Sequence, residues 1–448
     1  RPLLLLLLLP PTRINSHSAG VDADSHLIPF VWQDGDEDSI GLAFDKSRAN
    51  DRKDWLRAHE AGTFVDYQVD AMEYGNFFNN EFILYSIASN KRAIPSVVDG
   101  LKPSQRKVLY ACFKRKLTKD IKVAQLAGYI SEHAAYHHGE ASLQKTIVGM
   151  AQDFVGANNI NLLVPSGQFG TRSQGGEDQA SPRYIFTRLA KIARKIFHPD
   201  DDAILTALDD DGVTIEPEFY VPIIPMALVN GSDGIGTGWS TKVPMFSPRE
   251  IIANLRKMID DGPEACEPMT PWYRDFKGTI VGQGQKFIVK GACDYDEEDK
   301  LLCVSELPIG TWTQRYKEAL ETKLAPSVTK HGRTETQVPA LVKEFQEHHT
   351  DRNVDFRITL TENAVRRGGV FDRKCFKDFG LLSSISMSNM VMWNAKDKIT
   401  AYGEVEQIMK DFYDVRCVRA QLASELLAQL LSKTPFLTSH SSVPSFSS

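Results

Sequence analysis

Residues 179–187 read Gln-Ala-Ser-Pro-Arg-Tyr-Ile-Phe-Thr, and the pair Arg183-Tyr184 within them is the part of this chain best equipped for chemistry. A tyrosine oxygen can attack a phosphodiester as a nucleophile, and an adjacent guanidinium can hold the phosphate it captures. Ser181 is of a type that caps helices, and Pro182 suits a first helical turn. Ile185, Leu189, Ile192 and Ile196 then recur at helical spacing, with Arg188, Lys191, Arg194 and Lys195 on the remaining surface. The spacing predicts a basic helix with Tyr184 in its first turn, at the positive end of the helix dipole. An isolated Arg-Tyr pair is more often a half-buried core tyrosine beside a surface arginine, so the surroundings must decide.

Four further groups of residues bear on that decision. Between positions 101 and 130 lie eight cations, Lys102, Arg106, Lys107, Lys114, Arg115, Lys116, Lys119 and Lys122, against the single acid Asp120. Such a bias suits neutralisation of backbone phosphates, or else a solvated helix face. The run Tyr136-His137-His138-Gly139-Glu140 offers two imidazoles near a helix start, as phosphate donors or as structural caps. His133 and His137 have a zinc-compatible spacing, but no third ligand follows at a sensible distance, so no metal is assigned. Gly167-Gln168-Phe169-Gly170-Thr171-Arg172, with Gly175-Gly176, allows a tight loop and close backbone approach. Finally, Gly234-Ile235-Gly236-Thr237-Gly238 superficially suggests a dinucleotide loop, but the GxGxxG pattern is not met. An apolar residue held out between glycines is the kind of wedge that enters a base step and kinks DNA.

These groups must be positioned by a chain of 448 residues, long enough for two or three domains. Its 42% hydrophobic and 25% charged composition is that of an ordinary soluble globular protein. A net charge of −6 excludes a uniformly basic protein, so any nucleic-acid contact must come from a localised face. Six scattered cysteines (Cys112, Cys266, Cys293, Cys303, Cys375, Cys417) lack CxxC or metal spacing and read as reduced intracellular thiols. The chain starts at Arg1 and reads as a fragment; Leu3 to Leu9 is too short to span a bilayer and reads as a truncated or mistranslated end rather than a signal peptide.

Residues 1–40 lack sustained periodicity and are expected to be disordered, the acids Asp34, Asp36, Glu37 and Asp38 reading as a solvated run rather than a metal site. Helices are expected over 51–61, 79–90, 103–115, 123–133 and 140–155, and the last three, followed by a Gly-rich strand-like stretch at 161–176, read as a helix-turn-helix with a wing. Beyond Pro222, β-prone runs at 279–281, 286–289, 301–304 and 356–360 alternate with helices at 248–260 and 313–323, an α+β texture. A long amphipathic helix over 405–431 and a disordered Ser/Thr/Pro-rich tail close the chain.

Taken together, these segments resemble the cleavage core of eukaryotic type IIA DNA topoisomerases. The motifs are residues 94–110 (Ile-Pro-Ser-Val-Val-Asp-Gly-Leu-Lys-Pro-Ser-Gln-Arg-Lys-Val-Leu-Tyr), 136–140, 167–172, 181–187 and 222–239, in the family's order, with resemblance over about 38–422. The resemblance implies a winged-helix domain at 76–222, a tower domain at 223–394 and the start of a coiled-coil arm at 395–432. It makes 41–75 the tail after a TOPRIM domain and a linker. It implies that Tyr184 forms a 5′-phosphotyrosyl link, that Arg183 supports the transferring phosphate, and that Ile235 is the intercalating wedge. Lys102, Arg106, Lys107, His137, His138, Gln168 and Arg172 become DNA contacts. For the whole enzyme it also implies Mg²⁺, ATP, a homodimer, no membrane and the nucleus. The Glu-Gly-Asp and Asp-x-Asp-x-Asp signatures of TOPRIM are not found here, and Ser104 stands where the family usually has glycine. Two other readings remain open: a separate tyrosine subunit with a TOPRIM/ATPase partner chain, and a non-catalytic DNA-binding remnant.

Overall fold

The computed structural model describes residues 28–433 except 61, 285, 332–333 and 368–372, so the leucine run and the tail from 434 lie outside the described residues. Its contacts divide into two units: residues up to Asn90 with Thr237–Trp239, and residues 91–236 with those from Ser240 onward. The break after Asn90 falls later than the boundary expected at 75.

In the first unit, Phe30–Val31 pairs in parallel with Met72–Glu73, and helices Asp36–Phe44 and Ala49–Arg57 precede Tyr74–Phe77. A π-helical turn, Phe78–Phe82, leads on into helix Ile83–Ala93. The expectation of disorder to residue 40 is therefore corrected for 28–40. Asp36, Glu37 and Asp38 form the first turn of a helix, in which Glu37 and Asp38, like Asp34 before it, stay exposed. Asp36 is buried, and its carboxylate accepts from the Gln33 N–H at 2.6 Å and the Gly75 N–H at 3.1 Å. Trp239 lies beneath the Lys53 ammonium and the Arg57 guanidinium, 4.8 and 5.2 Å from its ring centre.

The second unit opens with helices Pro103–Lys114, Val123–His133 and Glu140–Ala151. Buried Val108, Leu109, Leu126, Ile130, Leu143 and Ile147 place their apolar stripes in one core. Against them lies a three-stranded antiparallel sheet in the order Ile121–Lys122, Phe186–Leu189, Leu163–Ser166, the wing. The helix expected from 182 is not formed. Residues 182–184 make a turn, Phe186–Leu189 is the central strand of the wing, and only Ala193–Ile196 is helical. Burial alternates with period two, Ile185 and Thr187 inside and Phe186 outside, and both neighbouring strands pair with Thr187. Tertiary pairing has overridden a helical spacing that the same residues also satisfy.

The core does not end at 222. Met226–Val229, helix Pro248–Asp261 and residues 387–409 all contribute buried side chains to it. A second core, including Leu302, Val304, Tyr316, Leu320, Phe356 and Ile358, sits on a four-stranded antiparallel sheet. Its order is Ala292–Asp296, Leu301–Glu306, Phe356–Leu360, Val342–Glu347. Helix Val405–Lys433 buries Val405, Ile408 and Met409 in the first core, and Arg416 pairs with Asp201 at 2.8 Å. Among the described residues no helix is long and apolar enough to cross a membrane.

The start of helix Pro103–Lys114 is locked by a buried ion pair. Asp99, fully buried, accepts from Arg106 Nε at 2.7 Å and Nη2 at 3.1 Å, from the Leu101 N–H at 3.0 Å and from the Tyr220 N–H at 3.0 Å. Gly100 beside it has φ +68°, and a Cβ there would lie 2.2 Å from the Ala227 nitrogen. Asp99→Ala leaves the Arg106 charge buried and unpaired, which costs about 3–5 kcal/mol. Urea unfolding of the two proteins measures that loss, and a difference under about 1 kcal/mol would contradict the locking role.

Candidate active site and nucleic-acid interface

Tyr184 is 75% exposed although Ile185, next to it, is 1% exposed. The turn that projects it is closed by the Tyr184 N–H donating to the Ser181 carbonyl at 2.9 Å. It is also fastened to another helix: the N–H groups of Val123 and Ala124 donate to the carbonyls of Ile185 and Pro182 at 3.0 and 3.1 Å. These are amides that a helix start leaves without an internal partner. The positive helix end expected near the tyrosine is therefore present, but it belongs to Val123–His133. Arg183 is exposed too, and its side chain makes no hydrogen bond or ion pair among the described residues.

Beside this turn lies a cleft of about 610 Å³ lined by Arg115, Lys116, Lys119, Lys122, Gln125 and Phe186, with Asp120 as its acid. Lys122 sits over the Phe186 ring, 6.0 Å from its centre. Asp120 accepts from Arg188 at 2.6 Å and from Ser166 at 3.0 Å, tying the wing strands together. The Arg188 hydrogen bond chiefly holds this carboxyl below the usual range. Lys116 and Lys119 are exposed without side-chain partners among the described residues. The cleft is positive and open; Lys119 and Lys122 in its lining belong to the basic run read from the sequence, and Gln125 is a lining residue that reading did not single out.

Three of the residues expected to contact DNA lie buried or mostly buried in ion pairs. Arg106 is buried against Asp99. Arg172 is buried against Glu306 at 2.6 Å, where its charge joins the glycine loop to the four-stranded sheet. Lys107 is mostly buried, donating to the Ala134 carbonyl at 2.5 Å and pairing with Glu216 at 2.9 Å. Each already has its counter-charge, and stripping it away would expose a buried acid. Lys102 is intermediate: its ammonium donates to the Asp233 carbonyl at 2.6 Å, and burial lowers its pKa.

Gln168 remains exposed in its loop, while Thr171 is held by two hydrogen bonds to Asp178, at 2.8 and 2.6 Å. Gly175 has φ +65° and admits the Trp312 ring, which a Cβ would meet at 2.3 Å. That glycine serves packing rather than access to a ligand.

Lys107 also fixes the carbonyl that precedes Ala135, a non-glycine residue at φ +44°, and so the course of the histidine loop. There His137 is exposed and pairs with Asp210 at 3.0 Å, and His138 lies edge-on to Tyr136. His133 stacks on Tyr129, and its Nδ1 bonds the Tyr129 carbonyl at 3.1 Å. Among the described residues no group of three or more His, Cys, Asp or Glu could hold a metal. The histidine loop and the tyrosine turn occupy opposite ends of the 11-residue helix Val123–His133, which is about 16 Å long.

Ile235 is 84% exposed at the end of strand Ser232–Ile235, which pairs with Ser240–Val243 and places Ile235 opposite Ser240. Gly234 is required beneath it, since a Cβ would sit 2.0 Å from the Ala93 carbonyl oxygen.

The family model of DNA gyrase/topoisomerase IV, A-type subunit, matches residues 92–439. The chain belongs to that family. A second model, the C-terminal associated domain of TOPRIM, matches residues 16–90, so this gyrase/topoisomerase chain joins the two where its contacts divide. DNA topoisomerase 2 of Penicillium chrysogenum is 46% identical over 88% of this chain and 24% of its own length. That of Saccharomyces cerevisiae is 45% identical over 91% of the chain and 28% of its own. The chain thus spans about a quarter of the length of the curated relatives it matches. A crystal structure of the Plasmodium falciparum topoisomerase II DNA-binding, cleavage and re-ligation domain aligns with a TM-score of 0.78 at 41% identity. That alignment covers 90% of this chain and 53% of the other.

Partial burial first, then the charges of Arg92, His137 and Lys107, lower the His138 pKa. An NMR titration of this ring should show a midpoint under about 6.5. Because the unfolded ring binds its proton first, stability is lost as pH falls from that value through the lower folded midpoint. His138→Gln should remove this part of the acid sensitivity; a midpoint at or above the ordinary value would contradict it.

Proposed function

We propose that this chain is the DNA-binding and cleavage–re-ligation part of a type II DNA topoisomerase. The observation that carries the reading is the exposed Arg183-Tyr184 turn, fastened to a helix start and flanked by an open basic cleft. The similarity to the Plasmodium cleavage domain and to the yeast and Penicillium enzymes supports it. Double-stranded DNA lies along the cleft with its phosphates near Lys119 and Lys122. His137 and His138 meet the backbone at the far end of the same helix, and Ile235 enters a base step.

The Tyr184 oxygen bonds to a phosphorus, the bond from that phosphorus to the 3′-oxygen breaks, and the 3′-oxygen takes the proton that the phenol gave up. One phosphodiester has replaced another, so re-ligation is the same exchange in reverse and needs no nucleotide. Arg183 and the amide end of helix Val123–His133 stabilise the charge that builds on the phosphate oxygens. Mg²⁺ and ATP belong, in this reading, to regions of the longer relatives outside the matched segment, because the Glu-Gly-Asp signature of TOPRIM is not found in this sequence. A homodimer in the nucleus completes the proposal, with double-strand passage driven by ATP. The isolated chain binds DNA but cleaves it poorly.

Two experiments test this. When the matched segment of the yeast enzyme is exchanged for this chain, the chimera should form detergent-resistant covalent protein–DNA adducts, and Tyr184→Phe should abolish them. Adducts that persist in the variant refute the nucleophile assignment. In the isolated chain, Lys119→Gln and Lys122→Gln should each weaken duplex binding uniformly across sequences and lower the salt slope by about 1. Unchanged slopes for both would remove DNA from the cleft.

A further inference from the structure

A wedge works only if its mount does not yield. Unstacking a base step is costly, and the cost is returned as force on the hairpin that carries Ile235. Two paired strands on their own are marginally stable in water. The strands Ser232–Ile235 and Ser240–Val243 form just such a pair, a two-stranded sheet among the described residues. The stiffness has to come from side chains behind it.

The residue opposite Ile235 is Ser240. Its hydroxyl accepts from Asn389 Nδ2 at 2.9 Å. The main-chain carbonyl of Asn389 accepts from the Lys242 N–H at 2.8 Å, two positions further along the same strand. Between these grips, the buried Thr241 accepts at Oγ1 from the Val391 N–H at 3.2 Å. Met390, Val391 and Met392 are themselves buried, so the grip is rooted in packed side chains.

We propose that Asn389 is a positioning residue for the wedge: it holds Ser240 and Lys242 so that Ile235 meets DNA at a fixed angle. The inference rests on the wedge reading above. Asn389 is uncharged and acts through the hairpin, so it separates positioning from phosphate attraction. Lys102, which donates to the Asp233 carbonyl on the other strand, does not allow that separation.

The test uses this chain and a short duplex labelled at both ends, with DNA bending read by energy transfer and affinity read across a salt series. Asn389→Ala and Ser240→Ala should each lose much of the bending while keeping the salt slope, and Ile235→Ala should lose most of it. Combining Asn389→Ala with Ile235→Ala should add no further loss, because both changes act through one wedge. Ser240→Ala removes only a half-buried hydroxyl and keeps the test decisive if Asn389→Ala misfolds. Normal bending by both supporting variants, with Ile235→Ala defective, overturns this inference alone. So does an additive double variant, which means that Asn389 acts elsewhere. Full bending by Ile235→Ala defeats the wedge reading, and this inference falls with it.

Discussion

Two amides at the start of helix Val123–His133 decide where the tyrosine goes. A helix leaves its first N–H groups without internal partners, and in this chain those of Val123 and Ala124 find the carbonyls of Ile185 and Pro182. The turn between those carbonyls has one way out, and Tyr184 takes it. Farther along, the same helix leads into the loop of His137 and His138, which Lys107 and Glu216 brace from below. One element thus sets the position of both the exposed tyrosine and the imidazoles, and the wing strand Phe186–Leu189 pairs with both its neighbours beside that turn.

The cations divide by the same logic. Arg106, Arg172 and Lys107 each lie within reach of a buried acid, and each has been drawn inward as the partner that the acid requires. The cations that stay outside, Lys116, Lys119 and Lys122, have only Asp120 among them in the cleft, and Asp120 is already engaged by Arg188. Positive charge is therefore left over where it can attract phosphate and consumed where it must hold the fold. Sequence counts of basic residues mix the two populations.

Much of the scaffold was legible. Pro103 and the apolar stripe behind it marked a helix that does start there, and residues 123–133 form the helix that their periodicity indicates. The β-branched runs after residue 278 all became strands. The tyrosine segment was misread because Ile185 and Leu189 satisfy helical and strand spacing alike; long-range pairing with Ile121 and Pro165 settled the choice. The fate of Arg106 was half visible, since Asp99 and Gly100 stand just upstream. The fate of Arg172 was not, because Glu306 is 134 residues away. Ile235 and Tyr184 were found from their neighbours rather than from themselves: glycines around one, an arginine before the other.

Exposure gains its meaning from what surrounds it. A solvent-facing tyrosine or isoleucine on a loose loop costs the chain little and can do little, because ordering it on a ligand consumes much of the contact energy. Here Tyr184 projects between the buried Ile185 and a turn tied to a helix, and Ile235 projects above a glycine pressed onto the Ala93 carbonyl. Their ordering cost is met during folding by burial and hydrogen bonds elsewhere. Under the proposed function, a duplex has only to supply the chemistry at one and the unstacking at the other. Tyr184 and Ile235 thus differ from other exposed side chains in how firmly their backbone is held, and under the proposed function that firmness suits a polymer that both reacts and bends.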